Sequence, residues 1–261
     1  MVFTQMNRRK LLRLTASAGI GWCIFEPWIL EPYWLKIKRF NVSGKKASHR
    51  LVHITDIHYK GNRPYLEKVI KVVNSLSPDF ICFSGDLIEE AIYLDEALDT
   101  LSSLKYPVYG VPGNHDYWSG ASFSRISQFC ESTGGAWLVD QDTLTKDRQI
   151  QIIGATGNQI LLPTLQPNFK HLLLVHYPLF VKQIEDLFDQ QSFSLVLAGH
   201  SHGGQVRLPL WGPIILPDRV GSYDLGLFQT KIGLLYVNPG IGTFLMPVRS
   251  FCRPEISLIE V

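Results

Sequence analysis

The sequence predicts an α/β protein with one sheet of parallel strands and a second sheet stacked on it. Three observations carry this. Between residues 50 and 132, short apolar runs alternate with amphipathic ones in the order βαβαβα, the pattern of parallel strands with helices on a face. From residue 150 onward, strand-like runs continue with one helical stretch among them. The residues able to do chemistry fall at the ends of apolar runs, where α/β proteins gather their ligands.

Residues 50–55 (RLVHIT) read as the first strand. Residues 64–76 form a helix with Leu66, Val69, Ile70 and Val73 on one face. Residues 80–84 (FICFS) are the second strand and 91–104 the second helix; 107–111 (PVYGV) are the third strand and 122–132 the third helix. In the second half, strands are expected at 150–153, 172–175, 195–198, 205–208, 227–230, 234–237 and 256–259, with one helix around 180–188. With so few helices to carry crossovers, these strands are expected to form a largely antiparallel second sheet. No repeat, low-complexity tract or linker follows residue 50, so residues 36–261 read as one domain after an N-terminal segment of residues 1–35.

Apolar residues make up 46% of the 261-residue chain and charged residues 18%, a globular composition with ample core. The net charge of +2 and the lack of a basic stripe beyond the N-terminus argue against a nucleic-acid partner. Cys23, Cys82, Cys130 and Cys252 are widely and irregularly spaced. That excludes a zinc knuckle or a thioredoxin-type motif, and Cys82 reads as core.

Residues 7–13 (NRRKLLR) are basic, and a short apolar stretch follows before Glu26 and Pro27 interrupt it. That stretch is shorter than the roughly 20 residues needed to span a hydrocarbon core. Arg8 and Arg9, followed by Leu11, Leu12 and Arg13, match the twin-arginine pattern, so the segment reads as an export signal or, with no clear AxA site following, as an uncleaved anchor. The other reading is a basic amphipathic helix on a membrane or on the domain. Trp22, Trp28, Tyr33 and Trp34 suit a membrane interface or a core role. The expected location is therefore the bacterial inner membrane or, by export, the cell envelope, with the facing side open.

The strand ends carry a series. The first ends in Asp56-Ile57-His58, the second in Gly85-Asp86, and the third runs into Gly113-Asn114-His115-Asp116. HLLLV ends at His176, and SLVLA ends in Gly199-His200-Ser201-His202. Carboxylate, imidazole and amide oxygen together suit Mn, Fe, Zn or Mg rather than a thiolate-loving ion. Two divalent ions about 3.5–4 Å apart need a bridging carboxylate, and Asp86, on a central strand, is its natural source. DxH suits chelation of one ion, and the two histidines of HxH can divide between two. His49, His53 and His171 lack such motifs and read as structural or surface residues.

The series DIH, GD, GNHD, H and GHSH resembles the calcineurin-like metallophosphoesterase superfamily over residues 50–261. GHSHGGQVRLPLWGP and the closing GIGTFLMPVRSFCRPEISLIEV look like its YkuE/YaeI-type branch. Members of that branch carry a twin-arginine-like N-terminus and an EP-containing lead-in, here Glu31-Pro32-Tyr33-Trp34-Leu35. The branch is similar to membrane-associated enzymes that hydrolyse UDP-2,3-diacylglucosamine. The resemblance implies a four-layer αββα sandwich. It implies one metal on Asp56, His58 and His202, a second on Asn114, His176 and His200, and Asp86 between them. His115 would protonate the leaving oxygen or steady the phosphoryl group, and Asp116 would orient His115. Ser201 stands where Thr is frequent, and Asn238-Pro239-Gly240, closer to the broad superfamily, bears on the pocket wall.

The implied reaction is hydrolysis of a phosphate ester by metal-activated water, with manganese the expected ion. Two divalent ions, two carboxylates and a hydroxide leave about one positive charge, which favours a diester or pyrophosphate over a monoester. The apolar stretch 208–217 (LPLWGPIILP) would either floor a lipid-binding groove or form core between the sheets. The expected partners are a lipid-linked phosphate ester and a membrane surface. The alternatives are a general envelope phosphodiesterase on small soluble esters, a nucleic-acid phosphodiesterase, and a non-catalytic metal-binding scaffold.

Overall fold

Apolar runs and amphipathic stretches resolve into two six-stranded sheets in a computed structural model that describes residues 25–44, 47–157, 162–189 and 192–261. In chain order the strands and helices are β1 (Lys36–Asn41), β2 (Arg50–Ile54), α1 (Arg63–Ser75), β3 (Phe80–Phe83), α2 (Leu94–Leu101), β4 (Val108–Gly110), α3 (Asn114–Trp118), α4 (Phe123–Ser132), β5 (Ala136–Trp137), β6 (Gln141–Leu144), β7 (Ile150–Ala155), β8 (Lys170–Val175), α5 (Phe180–Ile184), β9 (Phe193–Ala198), β10 (Arg207–Leu208), β11 (Gly212–Pro213), β12 (Gly226–Gln229), β13 (Gly233–Val237) and β14 (Glu255–Glu260).

The first sheet runs β1-β14-β2-β3-β4-β5, with β2 to β5 parallel, as the βαβαβα reading requires. The helix α1 shows why. Asn62 caps its first turn by accepting from the Tyr65 N–H, Pro64 sits in that turn, and Leu66, Val69, Ile70 and Val73 are all buried. These four pack with α2 and α4 against Val52, Ile54 and Ile81 on the outer face of the sheet. Leu51, Cys82 and Tyr109 point the other way, toward Ile152, Leu172, Leu174, Leu195, Leu197 and Tyr236 of the second sheet. On that sheet's far side, Leu173, Val175, Val196 and Ala198 meet Phe180, Val181 and Ile184 of α5. The order is helix, sheet, sheet, helix, so the αββα expectation holds, with a thin fourth layer.

Four expectations are corrected. The second sheet, β12-β13-β9-β8-β7-β6, is not largely antiparallel: β13–β9, β9–β8 and β8–β7 are parallel, and only its two outer pairings run opposite. The connections 156–169, 176–192 and 199–232 are long enough to recross without a full helix. The closing strand β14 joins the first sheet, between β1 and β2. The run at 205–208 yields only β10, which pairs with β11 in a two-stranded hairpin outside both sheets. The 208–217 stretch is not core, because Leu208, Leu210, Trp211, Ile214 and Ile215 are exposed.

The lead-in is fastened to the domain. Buried Glu31 accepts from the N–H groups of Phe251 (2.9 Å) and Cys252 (2.5 Å), and the Arg249 N–H donates to the Pro27 carbonyl. The Arg253 guanidinium lies 4.0 Å from the Trp34 ring centre. Trp28, Tyr33 and Trp34 are exposed rather than core. The twin-arginine stretch, Trp22 and Cys23 lie outside the described residues. Among the described residues, no helix is long and apolar enough to cross a membrane.

Candidate metal centre

The carboxyl ends of the adjacent parallel strands β2, β3 and β4 face those of β8 and β9 from the other sheet. Those five ends bring Asp56, His58, Asp86, Asn114, His176, His200 and His202 together, all the residues expected to hold metal. Asp86 lies at the centre: its Oδ2 is 3.4 Å from His58 Nε2 and 3.4 Å from His176 Nε2. On one side His202 Nε2 stands 3.1 Å from His58 Nε2 and 3.5 Å from Asp56 Oδ1. On the other, His176 Nε2 lies 3.0 Å from Asn114 Oδ1 and 3.1 Å from His200 Nδ1.

The backbone is bent to make this possible. Asp56, His58, Asp86, His200 and His202 have φ of 50°, 43°, 60°, 67° and 49°. Left-handed backbone at a non-glycine residue costs about 1–3 kcal/mol and collects at functional sites. Two glycines give the strands room to converge. A Cβ on Gly113 would lie 2.1 Å from Asp86 Oδ1, and one on Gly199 would lie 2.4 Å from Asp56 Oδ2.

The donor set fits cations. His176 gives its Nδ1 proton to the Ser84 carbonyl (2.8 Å), and His200 gives its Nε2 proton to the Asp218 carbonyl (2.8 Å). With both rings neutral, the facing nitrogens His176 Nε2 and His200 Nδ1 both present lone pairs, a repulsive contact unless a positive charge, a proton or a metal ion, sits between them. His58 is set the same way, its Nδ1 donating to Glu89 Oε2 at 2.8 Å. His202 Nδ1 is buried without a hydrogen-bond partner. Side-chain ligand atoms of Asp56, His58 and His202, and of Asp86, His176 and His200, converge closely enough to share an ion.

The charges agree. Burial alone would raise the Asp86 pKa, but His176 and His58 hold the carboxyl well below its ordinary range. Burial opposes charge on His58 and His176, yet Asp86 and its neighbours raise each to about 9, so with no cation present these two rings hold a proton where the ion's charge would sit, and metal binding would release it. Burial pushes His200 down to about 3, and burial with His58 nearby pushes His202 far down, leaving neutral rings able to ligate.

His115 packs against His58, with ring centres 4.6 Å apart. The expectation that Asp116 orients it is corrected. Both Asp116 oxygens are taken by backbone: Gly113 N–H (2.8 Å), Asp86 N–H (2.9 Å) and Leu87 N–H (2.8 Å). Asp116 thus holds the turn that carries Asp86. Glu89 is the carboxylate beside His115, 3.4 Å from its Nδ1. Asn238-Pro239-Gly240 is buried beneath the site, where Gly240 runs against the Asp56 side chain, rather than on a pocket wall.

Sequence reading misses Glu89, although it follows Asp86 by three positions in GDLIEE. It also misses Phe244, whose ring lies 5.1 Å from His115, 6.0 Å from His58 and 6.2 Å from His202. Gln205 fixes that residue, accepting from the Phe244 N–H (2.5 Å) and donating to its carbonyl (3.0 Å). His53 is buried and bonded to Ser84, His49 pairs with Asp147, and His171 bonds to backbone carbonyls, so none of the three joins the centre. Cys82, Cys130 and Cys252 are free and buried.

The calcineurin-like phosphoesterase family profile matches residues 49–204. The chain is 28% identical to the phosphodiesterase YaeI of Escherichia coli, covering 98% of this chain and 99% of that protein. It is 27% identical to the uncharacterized metallophosphoesterase YkuE of Bacillus subtilis, covering 98% of each. Among solved structures, a dimetal phosphatase from Danio rerio aligns at 13% identity and TM-score 0.49, over 75% of this chain and 88% of that one. With the clustered aspartates and histidines, the family match points to a dinuclear metal site. The chain belongs to the calcineurin-like phosphoesterase family and is a metallophosphoesterase, a hydrolase of phosphate esters.

Proposed function

We propose that the protein is a dinuclear phosphodiesterase or pyrophosphatase acting on a lipid-linked substrate of the UDP-2,3-diacylglucosamine kind, at a membrane surface. The observation that carries the hydrolytic reading is Asp86, whose Oδ2 lies 3.4 Å from a histidine of each cluster, within reach of both, as suits a carboxylate shared by two ions. Asp56, His58 and His202 would hold one ion, Asn114, His176 and His200 the other, with Asp86 shared and manganese the ion. When bound, the pair supplies an activated water and neutralises phosphoryl charge.

The chain's own residues do the rest. His115 protonates the leaving oxygen. Burial and the nearby His58 lower its pKa, so its proton is readily given up. Glu89 sets the rings of His58 and His115. Asp116 fixes the Asp86 turn. Phe244 and the exposed Trp118, whose ring lies 5.1 Å from His115, make an apolar mouth that supports a substrate with a lipid portion.

The test is turnover of UDP-2,3-diacylglucosamine by the manganese-loaded full chain in detergent micelles, with UMP as product. Release of UMP, lost in His200→Ala, supports the reading and a cytoplasm-facing site on an uncleaved anchor. No UMP, with a soluble diester still cleaved, overturns the lipid-linked substrate and favours an exported general envelope phosphodiesterase.

A further inference from the structure

After the metal-site histidines, the chain builds two apolar tips that the proposed chemistry does not use. The first is the β10–β11 hairpin together with residues 214–217. The stretch 208–217 contains no charge, and Leu210 is 104%, Trp211 85% and Ile215 75% exposed. The second is the loop after Phe244, where Leu245 is 76% exposed and Met246 stands beside it.

Neither tip is loosely held at its base. The hairpin is fixed by Arg207, which donates to the Gly203 carbonyl (2.7 Å) and to Asp224 (2.8 Å). The loop is fixed by Gln205 at one end. At the other, the buried Arg249 guanidinium donates to the carbonyls of Pro239 (2.8 Å), Gly242 (2.5 Å) and Cys252 (2.9 Å). The tips are also joined: Arg207 N–H donates to the Ser250 carbonyl, and Ser250 N–H to the Gln205 carbonyl. The lead-in extends the same face through its bonds to Arg249, Phe251 and Cys252, bringing exposed Trp28 and Ile29 alongside. Apolar groups this exposed, on anchored backbone and in one connected region, exceed the scattered hydrophobics of an ordinary surface.

We infer that this face, formed by the 208–215 hairpin, the 244–248 loop and the lead-in at Trp28, docks on a lipid bilayer and sets the mouth of the metal site against it. Three features favour lipid over a protein partner. Side chains that protrude suit a fluid phase that closes around them, whereas a protein partner needs a matching hollow. Tryptophan at such a tip is suited to the headgroup boundary. The described chain enters this face at Phe25, and the sequence leading into it carries Arg8, Arg9, Lys10 and Arg13, complementary to anionic headgroups. The face explains how Phe244, held between the second tip and the metal histidines, would meet a substrate rising from the membrane. In that use the inference rests on the lipid-linked reading of the site; the docking itself does not.

The test uses the metal-loaded full chain and vesicles of phosphatidylcholine with phosphatidylglycerol. Binding is read by co-sedimentation, and depth by the change in tryptophan quenching by brominated acyl chains when Trp211 is replaced by Phe. The expected result is quenching that Trp211→Phe reduces by at least half and that Trp28→Phe and Trp211→Phe together remove. In addition, vesicle partitioning should fall at least tenfold in the combined Leu210→Asp, Trp211→Asp, Leu245→Asp variant, with turnover of a soluble diester unchanged. Undiminished sedimentation of that variant would overturn the inference and assign binding to residues 1–24. Trp211 already shielded from aqueous acrylamide without vesicles would overturn it in favour of cover by those residues or by a second copy, which sedimentation velocity separates. Failure of UMP release with docking intact would count against the substrate alone.

Discussion

Glu89 accepts the Nδ1 proton of His58 at 2.8 Å and stands 3.4 Å from His115 Nδ1, so one carboxylate touches both a histidine of the candidate metal centre and the histidine beside it. Burial raises the Glu89 pKa, but its bond to His58 brings it below the ordinary value, so it stays charged. Outer carboxylates of this kind typically contribute ten- to hundredfold to metal affinity or activity. Glu89→Gln should lower kcat by about that factor and weaken metal binding. Metal titration by calorimetry, together with steady-state kinetics, checks both.

His115 lies at the mouth and outside the two metal-binding clusters assigned above. His115→Ala should therefore lower kcat by about 10²–10⁴ while the metal content stays at the wild-type level. Elemental analysis beside diester turnover separates this from loss of metal.

Asp116 serves the backbone. Replacing it with Ala leaves three buried N–H groups without their acceptor, each lost partner costing about 1–3 kcal/mol. Asp116→Ala should lose at least about 3 kcal/mol in urea unfolding of the metal-free chain. Asp116→Asn should lose less, because one oxygen remains to accept.

His53 lies behind the site, and burial lowers its pKa to about 3. It is neutral when folded and takes up a proton on unfolding below its ordinary value of 6.5, so its contribution to stability is lost as pH falls. Between pH 6.5 and about pH 4 the loss is about 3 kcal/mol. His53→Gln should gain on the wild type by about that amount over this range, read from unfolding curves of the metal-free proteins, so that release of metal at low pH does not enter.

The metal-site candidates were legible because each closes an apolar run. Asp56, Asp86 and His176 sit at strand ends whatever the loops do, and parallel strands place such ends on one edge. Glu89 was not legible, because its partner His58 lies on another strand and nothing local marks it. The role of Asp116 was misread for the same reason: sequence places it beside His115, while the turn aims its carboxylate back at Gly113 and across to Asp86. The second sheet was misread because crossovers without full helices leave no amphipathic signature between its parallel strands. Strand β1 escaped because an exposed edge carrying Lys36, Lys38 and Arg39 lacks a buried-strand pattern. The apolar 208–217 stretch could be read as core or surface from composition, and only its exposure decides.

The central claim is that two cations share Asp86. The most direct measurement is anomalous diffraction from crystals of the manganese-loaded protein. The account requires two peaks per chain, one among Asp56, His58 and His202 and one among Asn114, His176 and His200, both in contact with Asp86. A single peak, or two that do not share Asp86, would contradict it.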